Sequence, residues 1–365
     1  FIPLARPSPG TVECATAGCS RPRWKTRARS PKMAATAPAH NNQGRTSMNS
    51  SNNRLVNFPV SFFSSVIGLT GITIAWQRAE RLFGINVSAW LLALTVGVFL
   101  VLAGFYAAKW LRHPQAVVKE FQHPVRLNFF PTLSISLLLL SVAFLPHSTT
   151  LSLYLWVGGA SLHLLFTLVV ICIWIHHTEF EITHINPAWF IPVVGNIIVP
   201  IAGTVHGYIE ISWFFFSIGL VFWLVLLTLV FYRVIFHAPL PQRLVPTLFI
   251  LIAPPAVGFI SYAELTASLD PFARVLYYVA LFLTLLLATQ VRLFARLKFA
   301  LSWWAYSFPL AAMTLATLRM QRMSGAEGFA DIGLVLLTAL TVIIAGLAAL
   351  TVRAVVRREI CVDEG

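Results

Sequence analysis

The sequence predicts an all-α membrane protein whose ten transmembrane helices form five helical hairpins around a central pore. Three observations predict this fold class. Hydrophobic residues make up 58% of the chain while charged residues make up 11%, and the mean hydropathy is +0.78. Such a composition is typical of a multi-pass membrane protein and argues against a water-soluble enzyme or a nucleic-acid-binding surface. The third observation is that prolines recur inside every second hydrophobic segment.

Residues 1–53 are predicted to form a disordered basic tail. This segment is rich in Pro, Ser, Thr, Ala and Arg, shows no apolar periodicity, and lacks the hydrophobic region of a cleavable signal peptide. It carries much of the formal net charge of +13. A second interpretation is that it is translated upstream sequence ahead of a true start at Met48, and a transit peptide is a third.

Residues 54–356 are predicted to form the ten-helix domain, and residues 357–365 a short C-terminal tail. Each hydrophobic span is close to the ~20 residues that cross the hydrocarbon of a bilayer. The predicted spans are 58–76, 89–110, 128–145, 151–175, 188–205, 211–236, 246–262, 272–293, 303–318 and 332–352. The connections after the third and fifth spans are very short, so those spans must form antiparallel hairpins with their successors.

The odd-numbered spans differ from the even-numbered spans in their prolines and small residues. A proline inside a membrane helix frees a backbone carbonyl and bends the helix, which is tolerated only where protein or a water-filled cavity covers the break. Five bent helices alternating with five straight helices indicate an inner ring held by an outer ring. The residues predicted to line the pore or kink its helices are Pro59, Ser64, Gly68, Pro131, Ser134, Pro192, Gly195, Pro254, Gly258 and Pro309. The alternative for each small residue is tight helix packing.

The distribution of charge predicts both the orientation and the kind of ion. Outside the basic tail, 13 Lys and Arg residues fall on the side of the two termini and five on the other side. The positive-inside rule therefore places both termini in the cytoplasm. The predicted interiors of the odd-numbered spans carry no Asp, Glu, Lys or Arg. Since cation pathways and proton relays usually need intramembrane carboxylates, this absence favours an anion.

Four segments carry a resemblance to a known family. They are FPVSFFSSVIG at 58–68, HPVRLNFFP at 123–131, PAWFIPVVGN at 187–196 and WWAYSFP at 303–309. With these segments the chain resembles the tellurite-resistance/dicarboxylate transporter family, which includes plant slow-type anion channels and bacterial tellurite-resistance membrane proteins. The resemblance covers about residues 57–356. It implies ten helices in five hairpins, a pore lined by the odd-numbered helices, a homotrimer with one pore per subunit, and no cofactor.

The resemblance also implies a gate. The family closes its pore with a phenylalanine of the ninth helix that stands directly before a small residue or a proline, and Phe308 before Pro309 matches this pattern. A ring across a narrow apolar lumen blocks ions by dewetting it. The alternative is that Phe308 is one of 28 phenylalanines that pack in the core or against lipid. Many relatives have a glycine opposite this ring in the first helix, and we expect Ser64 at that position here.

We therefore expect a gated anion channel that passes small inorganic or organic anions, as a multi-pass protein of the plasma (inner) membrane. We expect small anions and the lipid bilayer as its partners, with no catalytic residue, metal, cofactor or nucleic acid. A proton-coupled carrier of C4-dicarboxylate, sulfite or tellurite has the same family fold and is the alternative. It needs an energy-coupling group, and His163, Glu210 and Asp331 lie on even-numbered spans or at their ends. A less favoured alternative is a membrane haem redox protein that uses His163 with His176, His177 or His184.

Overall fold

The computed structural model describes residues 54–84, 87–176 and 180–361. Within these residues all regular secondary structure is helical. The predicted basic tail, residues 1–53, lies outside the described part of the chain, as do the last four residues of the predicted C-terminal tail. The expected all-α fold is therefore confirmed for the part of the chain that contains the predicted spans.

Thirteen α-helices follow one another along the described chain. Their bounds are α1 Phe63–Phe83, α2 Ser88–Arg112, α3 Pro114–Gln122, α4 Thr132–Phe144, α5 Thr149–His176, α6 Ile191–Val194, α7 Val199–Gly203, α8 Ile209–Phe236, α9 Ala253–Thr266, α10 Pro271–Ala288, α11 Val291–Ala295, α12 Ser307–Ser324 and α13 Gly328–Val356. Short 3₁₀ segments precede several of them, at Val60–Phe62, Arg126–Phe129, Ile182–His184, Pro187–Phe190, Gly195–Ile198, Val245–Leu251 and Leu301–Tyr306.

Eight helical stretches of the described chain are long and apolar enough to cross a membrane. They contain α1, α2, α4, α5, α8, α9, α10 and α13. The remaining two predicted spans correspond to structures of another kind. Residues Pro187–Gly203 form a broken segment, in which α6 and α7 alternate with 3₁₀ turns. The other is α12, whose C-terminal half is polar.

The prolines mark the start of α-helical structure. Pro131 immediately precedes α4, and Pro254 and Pro309 lie in the first turns of α9 and α12. In each case a 3₁₀ segment leads into the helix. The amides of a first turn have no acceptor within the helix, so a proline there costs no hydrogen bond. The expected interior kink is thus wrong for Pro131 and for Pro59, which precedes the 3₁₀ segment Val60–Phe62.

In the broken segment, by contrast, the prolines accompany interruptions of the α-helix. Pro192 and Pro200 stand in the first turns of α6 and α7, and each short helix is preceded by a 3₁₀ turn. The break is covered on all sides by protein, since residues 187–200 are buried except Ile191. A backbone of this kind is tolerated at membrane depth only when protein covers it.

Burial separates the proline-bearing segments from the others. In the stretches that contain α1 and α4, 78% of the positions in the most apolar window are buried, and in the stretch that contains α9 the share is 61%. The corresponding share is 11% for α2 and between 28% and 33% for α5, α8, α10 and α13. The prediction of inner and outer helices therefore agrees with this burial. Large apolar side chains of the outer helices, such as Trp90 and Phe282, are exposed and suited to lipid.

The inner segments contact one another in a closed succession. Helix α1 contacts α4 and α12, α4 contacts α7, α7 contacts α9, and α9 contacts α12. Each inner segment also contacts the outer helix that follows it in the chain, as α1 does α2 and α12 does α13. A closed succession leaves an interior that all five inner segments can line.

A buried ion pair joins the start of the first inner segment to the outer helix α2 and the short helix α3. Lys109 of α2 lies 2.6 Å from Glu120 of α3, and both side chains are almost completely buried. The Lys109 ammonium donates to the carbonyl of Phe58, and Glu120 accepts from the amide of Val60. The pair is thus the anchor of the first 3₁₀ segment.

Candidate functional site

A cavity of about 50 Å³ lies in the interior that the inner segments surround. Its volume gives room for a few water molecules. Every lining residue belongs to an inner segment. The lining residues are Ile74 and Arg78 of α1, Leu139 and Val142 of α4, Ile201 of α7, Val257, Ile260 and Glu264 of α9, and Phe308, Ala312, Leu315, Leu318, Arg319 and Arg322 of α12. All five inner segments thus contribute to one cavity.

One end of the cavity is charged. Arg78, Glu264, Arg319 and Arg322, which we call the charged end, lie near the C-terminal ends of α1, α9 and α12. Arg319 Nη1 lies 3.4 Å from Glu264 Oε1, and Arg319 Nη2 donates to the carbonyl of Ala263. The guanidinium of Arg322 donates to the carbonyl of Arg78 over 3.1 Å. These contacts connect the ends of the three helices.

The charged end corrects the expectation that the inner spans carry no charged residue. The first, seventh and ninth spans were expected to end at residues 76, 262 and 318, whereas α1, α9 and α12 continue to Phe83, Thr266 and Ser324. The added turns bring a carboxylate and three guanidinium groups to the cavity. A sequence signal for them exists, because each charged residue follows an apolar lining residue by four positions, as Glu264 follows Ile260.

The other end of the cavity is apolar and contains the predicted gate. Phe308 is the second residue of α12, is half-buried, and lines the cavity on the side away from the charged end. At 1.5 Å per residue, about 16 Å of helix separates it from Arg319. The ring lies close to Gly71 of α1, where an added Cβ would stand 3.6 Å from Phe308 Cδ2.

The residue of α1 that lies close to the Phe308 ring is a glycine, Gly71. Ser64, which we expected there, is the second residue of α1 and lies two turns, about 10 Å of helix, before Gly71. The chain therefore has a glycine, Gly71, close to Phe308, and the expected departure from the family pattern at Ser64 stays a prediction. Small residues recur along α1 at Ser64, Gly68 and Gly71, and the sequence alone does not show which of them lies closest to the ring.

Several predicted pore positions face neighbouring helices instead. A Cβ at Gly68 would lie 2.1 Å from Ser307 Oγ, so this glycine lets α1 approach α12. Ser134 Oγ lies 2.8 Å from Nδ1 of His163, and a Cβ at Gly195 would lie 2.5 Å from the same ring. For these residues the packing alternative holds.

Of the predicted site residues, all of which lie in the described part of the chain, Phe308 alone lines the cavity. The structure does not bring the remaining ones to it. Those are Pro59, Ser64, Gly68, Pro131, Ser134, Pro192, Gly195, Pro254, Gly258 and Pro309. Gly258, for example, faces Leu276 of the outer helix α10. The recurrence of prolines and small residues identified the inner segments but not the faces that line the cavity.

His163 is a structural residue of the helix packing. Its side chain is completely buried, its carbonyl accepts from Thr167 Oγ1, and that hydroxyl also contacts the carbonyl of Pro192. Asn196 of the broken segment donates to the same Thr167 oxygen over 3.0 Å. The close approach of Gly195 to the imidazole leaves no space for a haem at this ring. The contacts therefore favour a hydrogen-bonded core histidine over a haem ligand.

The sequence of the whole membrane region matches a family. The family of voltage-dependent anion channels matches residues 57–352. The chain belongs to this SLAC1 family. The resemblance to slow-type anion channels and tellurite-resistance proteins is thereby confirmed, and the chain is a multi-pass integral membrane protein. Members of the SLAC1 family are anion channels and transporters, and this agrees with the expectation that the chain is no enzyme.

Relatives of this SLAC1-family chain occur in plants and bacteria. It is 32% identical to the S-type anion channel SLAH3 of Arabidopsis thaliana over 274 residues, which cover 73% of this chain and 43% of that protein. It is 31% identical to the S-type anion channel SLAH2 of the same plant, over 82% of this chain and 58% of that protein. The tellurite resistance protein TehA homolog of Haemophilus influenzae is 25% identical over 70% of this chain and 79% of that protein. The chain spans about half the length of the plant relatives.

Proposed function

We propose that the chain is a gated anion channel whose pore is the interior surrounded by α1, α4, the broken segment, α9 and α12. In this proposal the broken segment and α12 are the fifth and ninth of ten crossings, and each inner segment forms a hairpin with the following outer helix. The observation that carries the proposal is the cavity that residues of all five inner segments line and that has Phe308 at its apolar end. Both termini lie in the cytoplasm, and the charged end of the cavity lies towards the extracellular side of the plasma membrane.

Phe308 is the gate in this proposal. Apolar side chains surround its end of the cavity, among them Val257 and Ala312. A narrow apolar constriction excludes ions because it does not hold water, and displacement of one ring rewets it. Gly71 has no side chain to hold the ring from the α1 side. The ring therefore meets no side chain at position 71 when it moves.

The charges at the cavity favour anions over cations. Three guanidinium groups and one carboxylate line it. A cleft with an excess of positive charge and apolar walls raises the local concentration of anions. We propose small inorganic or organic anions as the substrates and a homotrimer as the assembly, in which exposed apolar residues of the outer helices face lipid or the neighbouring subunits.

Replacement of the gate tests the proposal. We expect Phe308→Ala to raise the current through planar bilayers that contain the purified protein by about tenfold or more, since removal of the ring opens an apolar constriction. The reversal potential should follow the anion gradient. Phe282→Ala is the matched control, because Phe282 is an exposed phenylalanine of the outer helix α10. An equal current from wild type and Phe308→Ala contradicts the proposed gate.

A proton-coupled anion carrier is the second candidate. The observation that favours it is the Glu264 carboxylate at the cavity, since carboxylates inside membranes often serve proton relays. The two candidates differ in their energy requirement. Anion flux into proteoliposomes that depends on a proton gradient, with no current under an anion gradient alone, would identify the carrier.

A further inference from the structure

The ion pair at the charged end is loose. The 3.4 Å between Arg319 Nη1 and Glu264 Oε1 exceeds the 2.7–2.9 Å that is usual for a charge-assisted hydrogen bond. The pair has a single contact of this kind in the structure, in place of the two parallel bonds that an arginine forms with a carboxylate in the bidentate arrangement. The side chains retain 29% and 22% of their exposure. The carboxylate can therefore leave the guanidinium without unfolding the helix ends.

Arg319 also has an unused donor. Its Nε is buried and has no hydrogen-bond partner among the described residues. Buried donors are nearly always satisfied in native proteins by protein, water or an ion. Because Arg319 lines the cavity, a small solute in the cavity is the natural candidate for this partner.

The charged residues that line the cavity determine whether that solute is an anion or a cation. Among the residues that line the cavity, Glu264 is the one carboxylate against three guanidinium groups, which leaves a net formal charge of +2. A cation at Arg319 would be repelled by these groups. An anion is attracted by them and can replace the carboxylate as the partner of Arg319.

We propose that the charged end is an anion-binding site, in which a small monovalent anion such as chloride binds Arg319 in exchange for the tethered carboxylate of Glu264. The inference rests on the proposed channel function and adds a specific site to it. In the exchange the guanidinium passes from one anionic partner to another, so it is never left unpaired in the cavity. The carboxylate limits how tightly the permeating anion binds, and conduction requires binding that is weak enough to permit release.

The exchange predicts an unusual effect of removing a negative charge. Glu264→Gln should lower the chloride concentration that gives half-maximal unitary conductance by about threefold, the order expected for one partly exposed ion pair. Arg319→Gln should raise that concentration, because it removes the principal ligand. The double variant should behave like Arg319→Gln, since Glu264 acts through Arg319.

These conductances are measured in symmetric chloride solutions, in the Phe308→Ala background, so that the orientation of each channel is irrelevant. Glu210→Gln is the matched control. Glu210 is an exposed carboxylate in the first turn of α8, directly after the loop at the C-terminal end of α7, and it does not line the cavity. The Glu210→Gln variant removes the same negative charge as Glu264→Gln does, but from the protein surface. An equal shift in Glu210→Gln and Glu264→Gln, or additive effects in the double variant, overturns the inference.

A binding measurement separates this inference from the proposed channel function. An anion that binds only the folded protein raises its melting temperature in detergent. We expect sodium nitrate to stabilise Glu264→Gln at lower concentration than wild type, at constant ionic strength set with sodium gluconate, and to lose this effect in Arg319→Gln. Nitrate stabilisation that is identical in all three proteins overturns the site whether or not the protein conducts. An absence of anion current in Phe308→Ala, with the binding pattern intact, contradicts only the channel.

Discussion

Two glycines of α1 determine how close the predicted gate lies to the first inner helix. A Cβ at Gly68 would stand 2.1 Å from Ser307 Oγ and 2.6 Å from Ser307 Cβ, and one at Gly71 would stand 2.7 Å from the Cβ of Ala311. Separations below 3 Å cannot be kept without a shift of the backbone. Small residues are a common device for close helix packing in membranes. Here they place Ser307, and with it the neighbouring Phe308, directly against α1.

The contact between Gly68 and Ser307 leads to a testable prediction at the residue scale. Gly68→Ala should destabilise the protein by about 1–3 kcal/mol, the usual cost of inserting a methyl group into a packed core. The second variant, Gly68→Ala with Ser307→Gly, removes the side chain that the methyl group meets and should recover most of the loss. Thermal unfolding in detergent measures both. Gly346→Ala is the control, because an added Cβ there has no neighbour within 4 Å. Equal melting temperatures of Gly68→Ala and the control would contradict the close approach.

At the scale of helices, the inner segments share a way of beginning. A 3₁₀ segment and a proline precede or open α4, α9 and α12, while the broken segment repeats the pattern twice. The sequence predicted which spans are inner because these prolines are visible in it. It did not predict that they mark helix starts, because the 3₁₀ residues are as apolar as the helix that follows. The expected spans ended too early for a similar reason. The hydropathy of the sequence falls several residues before α1, α9 and α12 end.

The buried pair Lys109 and Glu120 carries a prediction about the first inner segment. Glu120→Gln keeps an acceptor for the Val60 amide but leaves the buried Lys109 ammonium without its carboxylate. Breaking a buried pair on one side costs about 3–5 kcal/mol. Lys109→Met with Glu120→Gln removes both charges and should restore part of that stability.

Chemical unfolding of the detergent-solubilised variants measures these differences. Lys119→Met is the control, since Lys119 is an exposed lysine of the same helix α3 and is expected to change the stability little. A double variant that is less stable than Glu120→Gln would show that the Lys109 contact with the Phe58 carbonyl, rather than the charge pair, anchors the segment.

For the whole molecule, composition and periodic prolines predicted the fold class and the division into inner and outer helices. Phe308 was predicted to lie in the pore from the family pattern, and it lines the cavity. The charged end was not predicted, because Arg78, Arg319 and Arg322 lie beyond the expected span ends and entered only the count of basic residues, and Glu264 lies beyond the expected end of the seventh span. Their convergence depends on the closed succession of α1, α9 and α12, which is a long-range arrangement that hydropathy along the chain does not contain.

The number of crossings is the prediction that belongs to the whole molecule. If the broken segment and α12 both cross the membrane, positions before and after each of them lie on opposite sides. In a variant whose four cysteines are replaced by serine, we expect Val205→Cys and Glu327→Cys to react with a membrane-impermeant maleimide on intact cells. Both positions are exposed and follow these segments in the chain. Thr183→Cys and Arg358→Cys should react only after permeabilisation, because ten crossings keep both positions in the cytoplasm. Labelling of Thr183→Cys and Val205→Cys from the same side would show that the broken segment does not cross the membrane. The proposed pore would then lack one of its five inner segments.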